Sequence, residues 1–387
     1  MRTVIVLGHD GYIGHALTMR LLTKGYKVVG IDNWLRRQAV KDMDSFSATP
    51  IETPYERAKS LRELGDFSYY GGDISTATGY HLLKSMITQR KPMAVVNLAQ
   101  MPSAPYSQKS VRLARLTAIN NIASTVNVLW AMKDSDAQLV QIGTMGEYDP
   151  AIGMDIPEGN FQMPMNVDNQ TEKSVIFPRK GGSFYHTSKI SATYFIEFAS
   201  RVYNIRATDI MQGIVYGNWT PEIENTNLHT RLDSDEAFGT VVNRFIVQSV
   251  LEYPLTVYGK GEHKRGFLAL NDSVQCLMLA IENSDYEGYR VWNQLDTVHS
   301  MLEVAHMIKD TARNHHLGSL IQMIDTPRVE VTDDFYYKPV VEKLKALGFE
   351  PTRSIEDEAD YVKPILKKHS FTISRLSKVV MPKITWR

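Results

Sequence analysis

Residues 3–14 read TVIVLGHDGYIG and decide the fold of this chain. An apolar strand is expected to run into Gly8, and Gly11 and Gly14 follow at the start of a predicted helix. In this spacing the first glycine permits a tight turn, the second lets backbone N–H groups approach a pyrophosphate, and the third lets the helix pack on the strand. The helix N-terminus adds unpaired N–H donors and the positive end of its dipole. The stretch therefore predicts a dinucleotide-binding turn, with Tyr12 and Ile13 as further cofactor contacts.

The alternation of strand and helix continues to about residue 140. Four more apolar stretches read as strands: YKVVGID (26–32), FSYYGGD (67–73), AVVNLA (94–99) and QLVQIG (138–143). Nearly uninterrupted apolar strands that alternate with helical periods are typical of a parallel sheet covered on both faces. We therefore predict an α/β protein with a Rossmann-type, doubly wound parallel sheet and a smaller C-terminal substrate-binding lobe.

The end of the second predicted strand bears on the choice of cofactor. Asp32 stands where a carboxylate hydrogen-bonds the ribose hydroxyls of adenosine, and this favours NAD over NADP. Asn33 follows it and is included among the cofactor contacts. Arg36 and Arg37 come next, and they would either accept a 2′-phosphate or form part of a solvated turn.

Further cofactor contacts are predicted after the third and fourth strands. Asp73 and Ile74 follow strand three, where an acidic residue commonly meets the adenine. Leu98 and Ala99 follow strand four and are expected to line the nicotinamide side. Asn120 lies in a predicted helix, and either a cofactor contact or a place on the helix surface fits its position.

Two regions divide the chain in this prediction. Residues 1–205, together with a strand at 205–212, are expected to form the NAD-binding domain. Residues 213–387 are expected to form mainly the substrate-binding lobe, with some segments returning to the main sheet. Residues 150–182 are rich in Pro, Gly and Asn and are predicted to be a loop.

A Tyr-x-x-x-Lys pair supplies the predicted chemical centre. Tyr185 and Lys189 are four residues apart and lie on one face of a helix. A free phenol has a pKa of about 10, which a neighbouring ammonium and a positive nicotinamide ring would lower. Thr144, at the end of strand five, is placed to hydrogen-bond the same substrate hydroxyl. The set predicts hydride transfer with a nicotinamide, Tyr185 acting as the proton acceptor.

Glu147 follows Thr144 by three residues and invites two interpretations. A loop carboxylate can simply accept backbone N–H bonds. Alternatively, Glu147 serves a second proton transfer, which an enzyme that moves only a hydride would not need.

Composition narrows the class of protein. Lys+Arg and Asp+Glu number 43 each, so no net charge points to nucleic acid or an anionic membrane. The one cysteine, Cys276, allows no intrachain disulfide and favours a reducing compartment. Because no apolar run approaches the roughly 20 residues of a membrane span, we expect no membrane insertion and a cytoplasmic protein. The histidines show no ligand spacing, so no metal site is predicted.

Several longer stretches resemble one family. The glycine loop, Asp32 and the Thr144, Tyr185 and Lys189 set look like the extended short-chain dehydrogenase/reductase superfamily, and within it the chain resembles the UDP-sulfoquinovose synthase family. The stretches that carry this resemblance are SAPYS (103–107), GTMGEY (143–148), SFYHTSK (183–189), IRATDIMQGIVYG (205–217), RLDSDEAFGTVVNRF (231–245), PLTVYGKGEHKRG (254–266) and PRVE (327–330).

The resemblance implies a reaction between UDP-glucose and sulfite with NAD as a catalytic cofactor. Oxidation at C4 of the sugar acidifies the C5 proton, loss of the C6 hydroxyl leaves a 4-keto-5-ene, and sulfite adds at C6 before C4 is reduced again. Glu147 is the candidate for the proton transfer at C5. The expected enzyme class is hydrolase, and the expected assembly is a homodimer or higher homo-oligomer. The alternatives are a UDP-sugar 4-epimerase and, from another class, a nicotinamide-binding regulator, although regulators typically lose the Tyr or the Lys.

The resemblance also implies contacts for the UDP-sugar. Arg265 and Arg328 are expected on the diphosphate, because guanidinium forks suit it better than ammonium groups do. The remaining residues expected around the nucleotide sugar are Gln212, Arg244, Val257 and Tyr258. Arg244 has a second interpretation, as a residue that caps a helix.

One position departs from the resembling family. Its photosynthetic members have an arginine before Ser-Ala-Pro-Tyr-Ser, where this chain has Pro102. A sulfite site would then draw on Arg179, Lys180 or His186.

Overall fold

The computed structural model describes residues 2–148, 153–167, 170–315, 318–325 and 336–381. Within this part the chain forms fourteen strands, namely β1 (Thr3–Leu7), β2 (Lys27–Asp32), β3 (Phe67–Gly71), β4 (Ala94–Asn97), β5 (Gln138–Ile142), β6 (Asn160–Val167), β7 (Gln170–Ile176), β8 (Ala207–Gln212), β9 (Ile214–Tyr216), β10 (Leu255–Tyr258), β11 (Lys264–Ala269), β12 (Tyr289–Gln294), β13 (Thr297–Ser300) and β14 (Ile321–Ile324).

The same part forms fourteen α-helices and two 3-10 turns, at Met145–Glu147 and Ser374–Lys378. The helices are α1 (Tyr12–Thr23), α2 (Leu35–Lys41), α3 (Pro54–Leu64), α4 (Ala77–Arg90), α5 (Ala104–Gln108), α6 (Val111–Met132), α7 (Phe184–Tyr203), α8 (Pro221–Thr226), α9 (Val241–Val250), α10 (Leu270–Glu282), α11 (Met301–Asn314), α12 (Lys343–Ala346), α13 (Ile355–Lys368) and α14 (Ser370–Ile373).

Seven parallel strands form the central sheet in the order β12-β8-β5-β4-β1-β2-β3. Side chains of β1 alternate between its two faces. Val4 and Val6 belong to a core that includes α1 and α10, whereas Ile5 and Leu7 belong to a core that includes α4, α6 and α7. Full burial of an aliphatic side chain contributes about 1.5–3 kcal/mol, so the apolar runs stabilise both layers of helices. The predicted Rossmann-type sheet is confirmed.

The C-terminal half builds a second, smaller lobe. It contains the three-stranded sheet β13-β11-β9 and the pair β10-β14. The helices α9, α11 and α13 pack together around a separate core that includes Phe245, Ile308 and Val362. Strand β12 also belongs to this half of the chain, but it pairs with β8 in the central sheet.

The predicted loop at 150–182 is wrong in part. Strands β6 and β7 form an antiparallel hairpin there. The intrinsic preference of residues for strands is weak, so pairing with a neighbouring strand decides whether a strand forms. The sequence, which contains Pro and Asn, did not reveal this pairing. None of the helices in the described part is long and apolar enough to cross a membrane.

Candidate active site

A cavity of about 680 Å³ runs along the carboxyl edge of the central sheet, where open parallel sheets bind ligands. Thr144, Gln212 and Arg265 line it. So do most of the predicted cofactor residues: Gly8, Gly11, Tyr12, Ile13, Gly14, Asp32, Asn33, Arg36, Asp73, Ile74, Leu98, Ala99, Asn120, Tyr185 and Lys189. One cavity therefore joins the predicted nucleotide end to the predicted chemical centre.

The glycine loop is packed backbone against backbone. A Cβ at Gly14 would lie 2.1 Å from the carbonyl oxygen of Gly8, and a Cβ at Gly8 would lie 2.7 Å from the carbonyl carbon of Leu98. Gly8 also has a φ of 80°, a left-handed value that favours glycine. The loop thus has the close approach that a pyrophosphate-binding turn requires, and the chain fits a dinucleotide here.

Asp32 is held by the backbone around it. Its carboxylate accepts the N–H groups of Asp10 at 3.0 Å and Trp34 at 2.7 Å. Asn33 accepts the N–H of Leu35 at 2.9 Å. Burial raises the pKa of Asp32, whereas the neighbouring His9 lowers it. The two hydrogen bonds hold the Asp32 carboxylate at the edge of the cavity.

The two adjacent arginines differ in their contacts. Arg37 donates to Asp10, with Nε 2.5 Å from Oδ2, and to the carbonyl of Glu52, and it is not part of the cavity wall. Arg36 lines the cavity, and its Nη2 lies 2.7 Å from Oδ2 of Asp233. The guanidinium of Arg36 also stacks 3.9 Å from the ring centre of Phe238. Both arginines are engaged within the chain.

The remaining predicted cofactor residues follow β3 and β4 or lie within α6. Asp73 accepts the backbone N–H of Ser75 at 2.9 Å and its hydroxyl at 2.7 Å. Asn120 is buried and donates to the carbonyl of Ala99 at 3.3 Å. Burial excludes the helix-surface alternative for Asn120, which instead lines the cavity.

The N-terminal turn of α7 presents Tyr185 and Lys189. Ser183 caps this helix by accepting the N–H of His186, and the N–H of Tyr185 donates to Ser107 at 3.2 Å. Burial and the charge of Glu147 raise the pKa of Tyr185, and the Thr144 hydroxyl acts in the opposite direction. Burial lowers the pKa of Lys189 to about 8.

Glu147 lies behind the cavity wall and does not line it. Its Oε1 accepts the N–H of Thr144 at 3.2 Å, and its Oε2 lies 2.6 Å from Nη1 of Arg179. The two side chains of this ion pair are 0% and 2% exposed. The pair therefore ties the turn after β5 to the loop before α7, where the N–H of Lys180 also donates to the Glu147 carbonyl at 3.1 Å.

A second buried carboxylate stands beside Glu147. The hydroxyl of Thr193 lies 2.9 Å from Glu147 Oε2 and 2.8 Å from Asp209 Oδ2, and it has one proton to donate. The hydroxyl of Tyr289 also donates to Asp209. Burial raises the pKa of Glu147 to about 7 and raises that of Asp209. The sequence did not point to Asp209 or Thr193, because they come from β8 and the middle of α7.

The cavity wall near Tyr185 also contains His186. Its ring centre lies 5.0 Å from that of Tyr185, and its Nδ1 is 2.9 Å from the hydroxyl oxygen of Ser183. Lys180, Met145 and Gly146 line the same part of the wall. This arrangement brings an imidazole, an ammonium and a phenol to one end of the cavity.

The predicted substrate residues are divided between two places. Gln212 lines the cavity and donates to Gln294 Oε1 at 2.7 Å. Arg244, Val257 and Tyr258 are buried in the second lobe and are not part of the cavity wall. Arg328 lies outside the described residues. Across the described ranges, no group of three or more His, Cys, Asp or Glu side chains is arranged to hold a metal ion.

Comparisons with known proteins agree with this architecture. Residues 4–293 match the NAD dependent epimerase/dehydratase family. The chain is 39% identical to a UDP-sulfoquinovose synthase of Sulfolobus acidocaldarius, over 99% of this chain and 97% of that protein. It is 35% identical to the chloroplastic UDP-sulfoquinovose synthase of Spinacia oleracea, over 100% of this chain and 79% of that protein.

Solved structures of low sequence identity share the fold. A UDP-glucose 4-epimerase of Thermotoga maritima has a TM-score of 0.68 at 19% identity, covering 95% of this chain and 99% of its own. A UDP-glucuronic acid 4-epimerase of Bacillus cereus, in complex with UDP-glucuronic acid and NAD, has a TM-score of 0.68 at 20% identity with the same coverage.

These comparisons settle three expectations and correct one. The fold class, the NAD cofactor and an NAD-dependent enzyme are confirmed. The expectation of a hydrolase is wrong, because the relatives belong to a family of lyase and oxidoreductase type, in which a hydride moves or a group is eliminated. The chain belongs to the NAD dependent epimerase/dehydratase family and, within it, to the family of the UDP-sulfoquinovose synthases.

Proposed function

We propose that the protein converts UDP-glucose and sulfite into UDP-sulfoquinovose and water. The observation that carries this proposal is the similarity to two UDP-sulfoquinovose synthases along the whole chain. The reaction is balanced without an external oxidant. Oxidation at C4 is reversed by the final reduction there, and the C6 hydroxyl leaves as water before the sulfur atom bonds to C6.

NAD would be held by the residues that line the nucleotide end of the cavity. The backbone N–H groups of the glycine loop would hold the pyrophosphate, and Asp32 would accept hydrogen bonds from the adenosine ribose. When bound, NAD supplies a hydride acceptor, and later a hydride donor, for C4 of the sugar.

Tyr185 would take the proton of the C4 hydroxyl and return it at the end. Its phenol is hard to ionise, because burial and Glu147 raise its pKa. The ammonium of Lys189 and the positive nicotinamide ring both favour the phenolate. We assign Lys189 to the nicotinamide ribose as well, and Thr144 to a hydrogen bond with the same hydroxyl.

The second proton transfer needs a group that faces the substrate. Of the two interpretations of Glu147, its buried contacts with Thr144 and Arg179 favour the one in which it accepts backbone N–H bonds. His186 lines the cavity beside Tyr185, and an imidazole can act as a general acid or base. We therefore propose His186 for the proton transfer at C5, and Glu147 as support for the turn that carries Thr144.

The UDP portion would occupy the end of the cavity near Arg265. We propose Arg265 for the diphosphate and Gln212 for the sugar nucleotide, since both line the cavity. Arg328 remains a prediction for the second phosphate contact. Arg244, Val257 and Tyr258 remain predictions for the uracil side, which would require a path into the second lobe.

Sulfite and a second copy of the chain complete the proposal. Lys180 lines the cavity beside His186 and is the candidate to attract sulfite, since Arg179 is paired with Glu147. The helices α6 and α7 pack on each other and expose large apolar side chains, which favours a homodimer through these helices. The exposed side chains are Ile119, Trp130, Tyr194, Phe195, Phe198 and Val202. A cytoplasmic location stays part of this proposal.

Mass spectrometry of nucleotide sugars tests the function. The purified protein is incubated with NAD, UDP-glucose and sulfite, and each substrate is omitted in turn. A UDP-sugar with a sulfonate in place of the C6 hydroxyl, formed only with sulfite, is the expected product. Conversion of UDP-glucose into UDP-galactose, with no effect of sulfite, would instead identify a 4-epimerase. The Y185F variant serves as the inactive control.

A further inference from the structure

The side chain of Lys189 has two acceptors inside the chain. Its Nζ donates to the side-chain oxygen of Gln100 and to the carbonyl oxygen of Ile142. Lys189 is 4% exposed. A buried ammonium needs acceptors because it has lost its water, and an ammonium has three protons to donate. These contacts leave one proton of Lys189 for a ligand in the cavity.

The orientation of the Gln100 amide is determined by its other contacts. Its Nε2 donates to the hydroxyl of Thr125 at 2.9 Å and to the carbonyl of Asn121 at 3.2 Å. With both protons engaged, the amide oxygen must face Lys189. The reversed amide would place N–H groups against an ammonium, and no acceptor would remain for Lys189 on this side.

A second amide maintains the same orientation from the sheet. Gln141 on β5 donates from Nε2 to Gln100 Oε1 at 3.0 Å, and it accepts at Oε1 from Asn97 of β4 at 2.9 Å. Gln141 Nε2 also donates to the carbonyl of Ile142. Asn97 and Gln141 are almost completely buried. Adjacent strands of the sheet therefore fix which end of Gln100 reaches Lys189.

The charged and titratable groups around Lys189 come from several parts of the chain. Glu147 of the 3-10 turn and Asp209 of β8 both raise the pKa of Lys189, against the lowering by burial. Arg179 and Tyr289 face the same two carboxylates. Tyr185 lies one turn before Lys189 on α7.

The other elements packed on this part of α7 present uncharged groups. Ser107 of α5 accepts the N–H of Tyr185, and Asn121 of α6 donates to Ser188 at 3.0 Å. Gln100 is thus a neutral acceptor for Lys189, and both side chains line the cavity.

We propose that Gln100 is a positioning residue that holds the Lys189 ammonium, in its charged form, with one donor directed to the cofactor ribose. The proposal rests on the function proposed above, in which charged Lys189 favours the phenolate of Tyr185. The buried amides of Asn97 and Gln141 serve this arrangement by fixing the Gln100 oxygen. Tyr185 and Lys189 carry the proton and the charge, whereas Gln100 acts through Lys189.

Two opposite substitutions test this role. Gln100→Leu removes the acceptor, so the alkaline limb of the pH profile for NAD reduction by UDP-glucose should move to lower pH by about one unit. Gln100→Glu adds a negative charge and should move the same limb to higher pH. Gln138→Leu is the matched control, because Gln138 is a buried glutamine of β5 that bonds to Ile281 away from the cavity. The control should keep the wild-type profile.

A second measurement does not depend on the reaction. In protein stripped of cofactor, the pH dependence of acetylation at Lys189 is followed by peptide mass spectrometry. The pH at which acetylation is half-maximal, the half-point, should fall in Gln100→Leu and rise in Gln100→Glu. NAD affinity measured by calorimetry should weaken about tenfold in Gln100→Leu.

The outcomes separate the two proposals. Half-points that shift in opposite directions support the role of Gln100 even if UDP-glucose is not the substrate. Unchanged half-points in both variants overturn it, whatever the enzyme makes. An equal loss of activity in both variants with an unshifted profile would show a merely structural glutamine, which also overturns the proposal.

Discussion

The two ends of the cavity are built from different kinds of contact. At the nucleotide end, seven consecutive residues (8–14) pack backbone against backbone, and a Cβ at Gly14 would overlap a carbonyl oxygen. At the catalytic end, buried side chains from several elements contact each other, as in the Glu147–Arg179 pair and the Gln100–Lys189 bond. The first end is a local device whose geometry follows from residue spacing. The second depends on the complete fold and on charge compensation within it.

The largest effect on cofactor binding is expected from a methyl group at the nucleotide end. Gly14→Ala would place Cβ 2.1 Å from the Gly8 oxygen, and neither backbone group can move without moving β1 or α1. We expect NAD affinity to fall by more than about 100-fold, on the order of 3 kcal/mol, as measured by calorimetry. Gly318→Ala, at a site with open space around its Cβ, should leave the affinity unchanged.

The same substitution at the catalytic end sharpens the contrast. A Cβ at Gly146 would lie 2.5 Å from Nε2 of His186, the far end of a side chain. Because that ring can rotate, Gly146→Ala should retain NAD and lose turnover by about tenfold, on the order of 1.4 kcal/mol. Equal loss of NAD in Gly14→Ala and Gly146→Ala would contradict the distinction between the two ends.

Charge compensation at the catalytic end predicts an effect on stability. Arg179→Ala leaves the carboxylate of Glu147 buried and without its cation, so the free energy of unfolding should fall by about 3–5 kcal/mol. Denaturant unfolding at neutral pH measures it. Arg201→Ala removes the exposed Arg201–Glu197 pair on the same helix, α7, and should cost at most about 0.5 kcal/mol. Similar losses in both variants would mean that burial does not control the strength of these pairs.

The difference between the ends also explains what could be predicted from the sequence. Local spacing in the sequence identified the glycine loop, Asp32 and the Tyr185–Lys189 pair. In the structure they line one cavity. Gln100, Thr193 and Asp209 belong to no such pattern, because their partners are distant in the chain. Gln100 and Lys189 are 89 residues apart, Thr193 and Glu147 are 46 apart, and Thr193 and Asp209 are 16 apart. Their meeting depends on strand order.

Contacts that leave no periodic pattern in the sequence likewise set the limit for the fold. The apolar runs of β1, β2, β4 and β5 predicted the sheet, since burial on both faces requires such runs. The hairpin of β6 and β7 was missed because its strands pair with each other outside that sheet. Glu147 shows the same limit at the site, since only the fold reveals Arg179 behind the cavity wall.

The buried carboxylate of Glu358, outside the catalytic end of the cavity, predicts a pH dependence of stability. Burial raises the pKa of Glu358 to about 7, from 4.5, although Arg353 lies 3.0 Å away. A raised folded pKa means that the associated stability is complete below pH 4.5 and is lost as the pH rises through 7. This loss amounts to about 3 kcal/mol.

Glu358→Gln should remove that pH dependence. The free energy of unfolding of the wild type, relative to the variant, should therefore decline between pH 4.5 and pH 7 by about 3 kcal/mol. Urea unfolding at several pH values provides the measurement. Glu224→Gln alters a carboxylate that accepts the indole N–H of the half-buried Trp219 at 2.9 Å, and it should run parallel to the wild type. A constant difference for Glu358→Gln would mean that Arg353 keeps the carboxylate ionised throughout.

The smallest effect on cofactor binding concerns Asp233, a carboxylate from the second half of the chain that pairs with Arg36. Asp233 holds Arg36 at 2.7 Å and also pairs with Arg231. In Asp233→Asn the carboxylate charge is lost, and Arg36 becomes available to a 2′-phosphate at the edge of the cavity. The affinity for NADP relative to NAD should rise by about tenfold, on the order of 1.4 kcal/mol. Calorimetry with both cofactors measures the ratio, and adding Arg36→Met to the variant should cancel the gain. If the affinity ratio stays constant, Asp32 alone determines the preference for NAD over NADP. Local residues would then determine the specificity of the nucleotide end as well as its shape.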